Sequence, residues 1–167
     1  MPTDVIRIYT DGTRQGSQTV NVKYHTRTLP KDNQGQARFH MYSSDAFWLT
    51  QWNLNILWGL AWPEVQDNFA ACLVQYARNG GLLPRGPVAG GYSYIMTTCP
   101  ATPLITSAYQ KGILTKVPAQ EAFCVMASNH RGGGMMGSTD EIRDYERLGY
   151  FPDHAGNTLE PPSKTGH

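Results

Sequence analysis

Asp45, Trp48 and Trp52 are the first residues whose types and spacing suggest chemistry. At i, i+3 and i+7 they would share one stripe of a helix, with the acid at its N-terminal end. A carboxylate accepts hydrogen bonds from hydroxyl groups, and an indole covers the apolar C–H face of a sugar ring. All four tryptophans fall between residues 43 and 112. The same stretch contains LLPRGPVAGGYSYIMTTCP, which reads as a long loop. Its prolines stiffen the chain and its glycines let the backbone approach a ligand closely. Arg85, Tyr92 and Tyr94 are the side chains expected to face that ligand. Each residue also has a plainer reading. Asp45 can be a first-turn acid stabilised by the helix dipole, each tryptophan a core residue, and Arg85 an exposed loop arginine.

Other chemistries find little support. The Gly/Pro stretch has neither GK[ST] nor GxGxxG, so it is not a phosphate or dinucleotide loop. The five histidines form no HxH or HExxH pair, which argues against a metal site made by this chain alone. Asp32-Asn33-Gln34-Gly35 lacks the alternating carboxylates and distal glutamate of a calcium loop and reads as a β-turn. Cys72, Cys99 and Cys124 have no CxxC spacing and read as small core residues, two of them on apolar helical faces. The formal net charge is +1 with Lys and Arg scattered, so neither nucleic acid nor a membrane surface is an expected partner. No apolar run approaches the roughly 18 residues of a membrane span, and Met1 opens no signal peptide.

These residues need elements to position them. Residues 1–42 read as a β/turn arm, with strand patterns in VIRIY and TVNVKY and too little apolar content to fold alone. Residues 43–167 read as helical. Ser44 can cap a first helix whose apolar face, Leu49, Trp52, Ile56, Leu57 and Leu60, is wide enough to predict burial on most sides. A second helix starts at Pro63-Glu64, repeats through Val65, Phe69, Cys72, Leu73 and Tyr76, and stops at Gly80-Gly81. A third spans residues 101–111, with Leu104, Ile105 and Ala108 inward and Gly112 as its stop. A fourth covers residues 119–128 and is followed by HRGGGMMG, which reads as a mobile loop. Ser138-Thr139-Asp140-Glu141 is a capping box opening a last helix that ends at Gly149. Short helices with unequal loops predict a mainly α fold of stacked hairpins.

The runs SDAFWLTQWNLNILWGLAWPEVQDNFAACLVQYARNGGLLPRGPVAGGYSYIM, PATPLITSAYQKG and YERLGYFP closely resemble glycoside hydrolase family 92, the calcium-dependent α-mannosidases. The resemblance runs from about Lys23 to the C-terminus with segment order kept, and lies nearest a branch with PRGP in place of a Trp-containing motif. It implies part of an (α/α)6 toroid catalytic domain, truncated at its C-terminus and preceded by a β-sandwich in the full protein. It further implies an inverting, exo-acting enzyme on mannose-containing glycans. Calcium would be the cofactor, with ligands mostly outside this chain, and the full-length protein would be periplasmic or secreted. Asp45 matches the acid of the family's Trp-Asp motif and would contact the terminal mannose.

The chain departs from the family pattern at two places. Ser44 stands where a tryptophan is usual. Gly86 and Pro87 replace a Trp-Glu pair associated with the general acid, with no glutamate anywhere in residues 82–96. The family's base belongs to a later segment. The expectation is therefore an enzyme fragment that neither folds stably nor hydrolyses mannosides alone, and that needs the remainder of its domain. Exposed apolar faces at Leu57, Leu60, Phe69 and Leu73 would make it aggregate. The alternative is a non-catalytic helical module that binds carbohydrate or a protein partner.

Overall fold

The computed structural model describes residues 5–10, 23–43, 47–88, 91–93, 99–135 and 139–150. Strands β1 (Val5–Thr10) and β2 (Lys23–Thr28) pair antiparallel, from Val5 opposite Thr28 to Thr10 opposite Lys23. The second strand thus lies further along than TVNVKY suggests. Its aromatic and β-branched positions, Tyr24, Thr26 and Thr28, suit a pleated ladder, and Tyr24 stands opposite Tyr9. The expected turn follows. Asp32 Oδ1 accepts from the backbone N–H groups of Gln34 and Gln36, both at 2.9 Å, and Gly35 takes φ 79°. On either side of the turn Leu29 and Phe39 are buried in the main core.

The expected helix from Ser44 is not continuous. Phe47–Trp52 is a 3-10 helix, and only Leu54–Ala61 is α-helical (α1). Aromatic and β-branched residues crowd FWLTQW and favour the α-helix weakly. The Thr50 hydroxyl also donates to the Phe47 carbonyl at 2.9 Å, a local bond that competes with the α ladder. Asn53 then restarts the helix, its carbonyl accepting from Ile56 and Leu57. The shared α-helical stripe assumed for Trp48 and Trp52 therefore does not apply. Burial of α1 is corrected too: Leu49, Trp52, Ile56, Leu57 and Leu60 are exposed, Leu60 by 80%. The side of α1 carrying Asn55 and Trp58 is the one that meets the rest of the chain.

One residue, Trp62, separates α1 from helix α2 (Pro63–Gly80), which begins with proline and ends at Gly81 with φ 89°. Every residue from Gln66 to Ala77 is buried. Phe69 and Leu73, expected to be exposed, lie in the core at 3% and 0%. The polar residues of α2 bond to backbone and side-chain groups of other segments. Gln66 Nε2 donates to the Ser107 hydroxyl at 3.1 Å. Asp67 accepts from Thr115 N at 3.0 Å, and Asn68 Oδ1 accepts from His40 N at 3.2 Å. Around Phe69, the rings of Tyr42, Phe47 and Trp58 approach at centroid distances of 5.4 to 5.8 Å.

The stretch after α2, expected to be a loop, contains a hairpin: β3 (Gly86–Val88) pairs antiparallel with β4 (Gly91–Ser93). Pro87 is tolerated because a two-stranded ribbon has open edges that ask for no N–H. Helix α3 (Ala101–Gln110) buries Leu104, Ile105 and Ala108 as expected, and Gly112 has φ 70°. Helix α4 (Ala119–Asn129) runs one residue beyond its expected end. Residues 131–135, expected to be mobile, make a turn. Gly134 N–H donates to the Arg131 carbonyl, and an added Cβ on Gly134 would come within 2.5 Å of two carbonyl oxygens. Met135 is buried. Helix α5 (Thr139–Leu148) ends at Gly149, φ 78°; Ser138 lies outside the described residues. Cys72 and Cys99 are buried, but Cys124 is exposed on α4, so its core assignment is corrected. The fold is mainly α, with α2 at its centre. Among the described residues no helix is long and apolar enough to cross a membrane.

Candidate functional site

The candidate sugar site depends on how the segment around residue 45 meets the PRGP hairpin. The Tyr42 N–H points at Cys72 Sγ (3.3 Å), and the Cys72 thiol donates to the Tyr42 carbonyl (3.4 Å), so the chain enters fixed to α2. Burial pushes the Cys72 thiol up to about 12, which keeps it protonated and able to donate. Next, Ser43 Oγ donates to the Pro87 carbonyl of β3 at 2.9 Å. Phe47 is fully buried, with its ring centroid 5.4 Å from that of Phe69. Two residues before and two after Asp45 are thus anchored, one on the hairpin and one in the core.

Asp45 and Tyr94 themselves lie outside the described residues, as do the side chains of Trp48 and Tyr92. Tyr92 is placed by its backbone, opposite Pro87 in the hairpin. Trp52 is 71% exposed. Arg85 is buried to 2% exposure, and its Nη2 donates to the Met135 carbonyl at 2.7 Å. It is therefore not an exposed loop arginine. It joins the base of the hairpin to the turn after α4, so hairpin and turn are positioned together.

A second polar cluster, which no spacing in the sequence announces, joins the start of α3 to the end of α4. Asn129 is fully buried. Its Oδ1 accepts from Leu83 N at 2.9 Å, and its Nδ2 donates to the Leu83 carbonyl at 2.9 Å and points at Cys99 Sγ at 3.1 Å. The Thr102 hydroxyl lies 3.6 Å from the same sulfur and 2.9 Å from His130 Nε2. Burial works to raise the Cys99 thiol, but hydrogen bonds from His130, Asn129 and Thr102 outweigh it and bring the thiol below its usual range. Reciprocally, Cys99 raises His130 above the ordinary imidazole range. The only sequence signals were the dipeptides Cys99-Pro100 and Asn129-His130 at two helix ends.

Among the described residues, no group of three or more His, Cys, Asp or Glu side chains could hold a metal ion.

The described residues form a mainly α segment with α2 buried at its centre and the β3–β4 hairpin following it. The chain belongs to glycosyl hydrolase family 92: the catalytic-domain profile of that family matches residues 7–166. The structure is similar to that of an inverting mannosidase of family GH92 from Bacteroides thetaiotaomicron VPI-5482. The TM-score is 0.59 at 25% identity over 72% of this chain. The chain spans 18% of that protein's length. No curated protein matches.

Proposed function

We propose that this chain is the part of an α-mannosidase catalytic domain that carries Asp45 to the terminal mannose of a glycan. In this reading the whole protein is inverting, exo-acting and calcium-dependent, and it works in the periplasm or outside the cell. The observation that supports the reading is that Ser43, two residues before Asp45, bonds the Pro87 carbonyl of the PRGP hairpin, and that Phe47, two residues after it, packs in the core. Inversion needs two carboxyl groups roughly 6.5–9.5 Å apart, with a water between the base and the anomeric carbon. The hairpin segment offers no carboxylate, so the partner of Asp45 comes from another part of the protein, and the isolated chain is inactive.

The test is an assay of the full-length protein on aryl α-mannosides, with α-glucosides as controls and with calcium removed by chelation. Turnover should be confined to mannosides and stop on chelation. Asp45→Asn should lower kcat at least 100-fold with an unchanged unfolding midpoint, the signature of a group acting on the transition state. Unchanged turnover in that variant would remove Asp45 from the site. The absence of a glutamate from the hairpin favours one second reading, a module that binds sugar without cleaving it. Saturable mannoside binding with no hydrolysis by the full-length protein would select it.

A further inference from the structure

We infer that the groove between α3 and α4 binds a neutral oligosaccharide, with Tyr109 and Phe123 against the sugar rings and Gln110 and Gln120 bonding sugar hydroxyls. The groove has a volume of about 440 Å³, within the ~300–1,000 Å³ of small-molecule sites. Ile105 and Ala122, both buried, stand behind it. Helical spacing builds its walls. Thr106, Tyr109 and Gln110 stand at i, i+3 and i+4 on α3, and Gln120 and Phe123 at i and i+3 on α4. Each helix thus presents an aromatic ring and an amide to the same space.

The lining sets the class of ligand. None of its residues is charged, so a phosphate, carboxylate or ammonium group would lose water there without gaining a partner. Tyr109 and Phe123 are each 61% exposed, and each offers a face that the C–H groups of a sugar can cover. The Gln110 amide and the Tyr109 hydroxyl have no protein hydrogen-bond partner among the described residues. Gln120 Nε2 has only Cys124 Sγ, at 3.7 Å. An amide donates and accepts, as a sugar hydroxyl does. The outer side of α1 is different: Ile56, Leu57 and Leu60 are exposed there with no amide or hydroxyl among them.

The groove is also preformed. The Thr106 hydroxyl joins α3 to α4 through Met126 Sδ at 3.6 Å. Leu114 is held because its N–H donates to the Ala108 carbonyl at 3.1 Å, and the next residue, Thr115, bonds Asp67 of α2 through both its N–H and its hydroxyl. A wall already fixed loses little freedom when a ligand arrives. Ala119, at the groove, lies about 15 Å along α4 from Asn129. The groove therefore opens at the ends of α3 and α4 away from Leu83, the bonding partner of Asn129. The source of the ligand rests on the mannosidase reading; its chemical class rests on the groove.

The test uses the full-length protein and thio-linked mannotriose, a probe that resists cleavage, with hydrogen exchange read by peptide mass spectrometry. Peptides covering residues 104–110 and 119–126 should exchange at least about twofold more slowly at saturating probe. Tyr109→Ala with Phe123→Ala should raise the probe concentration needed for that protection at least about fivefold, with an unchanged unfolding midpoint. Tyr109→Phe, which keeps the ring, should raise it by about twofold or less. Turnover of a small aryl α-mannoside should be the same in the double variant as in the unsubstituted protein. A protein that cleaves no mannoside removes the mannosidase reading, and the exchange measurement still decides the groove. The inference is overturned if the trisaccharide leaves both peptides unchanged, or if the double variant is protected as well as the unsubstituted protein. Protection by hexanol and not by the trisaccharide would also overturn it, as the mark of a purely apolar groove.

Discussion

Asn129 uses its side-chain amide as a strand would use its backbone, accepting from the Leu83 N–H and donating to the Leu83 carbonyl. A buried backbone pair that loses its partners bears their full desolvation cost, about 1–3 kcal/mol for each group. Asn129→Leu should therefore lower stability by about 2–4 kcal/mol in urea unfolding, even though leucine fills a similar volume. A loss under 0.5 kcal/mol would mean that water reaches Leu83. Such roles are hard to read from a sequence. Arg85 stands in a Gly/Pro stretch that looks like surface, and the carbonyl it reaches belongs to Met135, fifty residues away. Asp45 stands out by residue type and by an α-helical spacing to Trp48 and Trp52 that the 3-10 helix does not keep, and Asp45 itself lies outside the described residues.

At the scale of elements, the helix ends were legible because glycine marks them physically. Gly81, Gly112 and Gly149 each take the positive φ that other residues resist. The interior of α2 was only half legible. Its apolar repeat gave one buried face, but Gln66, Asp67, Asn68 and Gln75 are buried as well, and polar residues at those positions ordinarily mark a solvent face. The break at Asn53 is hidden for a related reason: apolar periodicity runs unbroken across it, while the aromatic and β-branched residues of FWLTQW and the Thr50 hydroxyl act against the α-helix. Helices α2 and α4 are joined near their surface by Arg78 and Glu121, the guanidinium donating to the carboxylate through two nitrogens. That hydrogen bonding holds the Glu121 carboxyl below its usual range and Arg78 above its own. A depressed carboxyl contributes stability above its unfolded pKa and loses it as pH falls through the folded one. Both side chains are about a third exposed, which limits the pair to roughly 0.5–1 kcal/mol. Glu121→Gln should cost about that much in urea unfolding at pH 7, and the difference should shrink as pH falls below the usual carboxylate range. A pH-independent difference would assign the effect to packing.

For the molecule as a whole, the outstanding surface is the apolar row of Trp52, Ile56, Leu57, Leu60 and Trp62, each at least 47% exposed. An isolated small domain rarely leaves so many large apolar side chains together in water. In a protein of which such a chain is less than a fifth, as for the Bacteroides mannosidase, other parts are available to cover them. The expected aggregation therefore belongs to this row and not to Phe69 or Leu73, which α2 keeps inside. The isolated 167-residue chain should self-associate at micromolar concentration, measured by light scattering after size exclusion. Ile56→Glu with Leu60→Lys should reduce the associated fraction at least threefold. A monodisperse monomer with a sharp thermal transition would show that the row is harmless and that the chain folds on its own.

The corner at Trp62 gives that row a mechanical meaning. With a single residue between two helices, and its N–H held by the Trp58 carbonyl, α1 has no slack in which to swing. The corner is a bracket and not a hinge. It therefore fixes α1 on α2, and a partner that covers the row on α1 meets a surface held rigidly against the core.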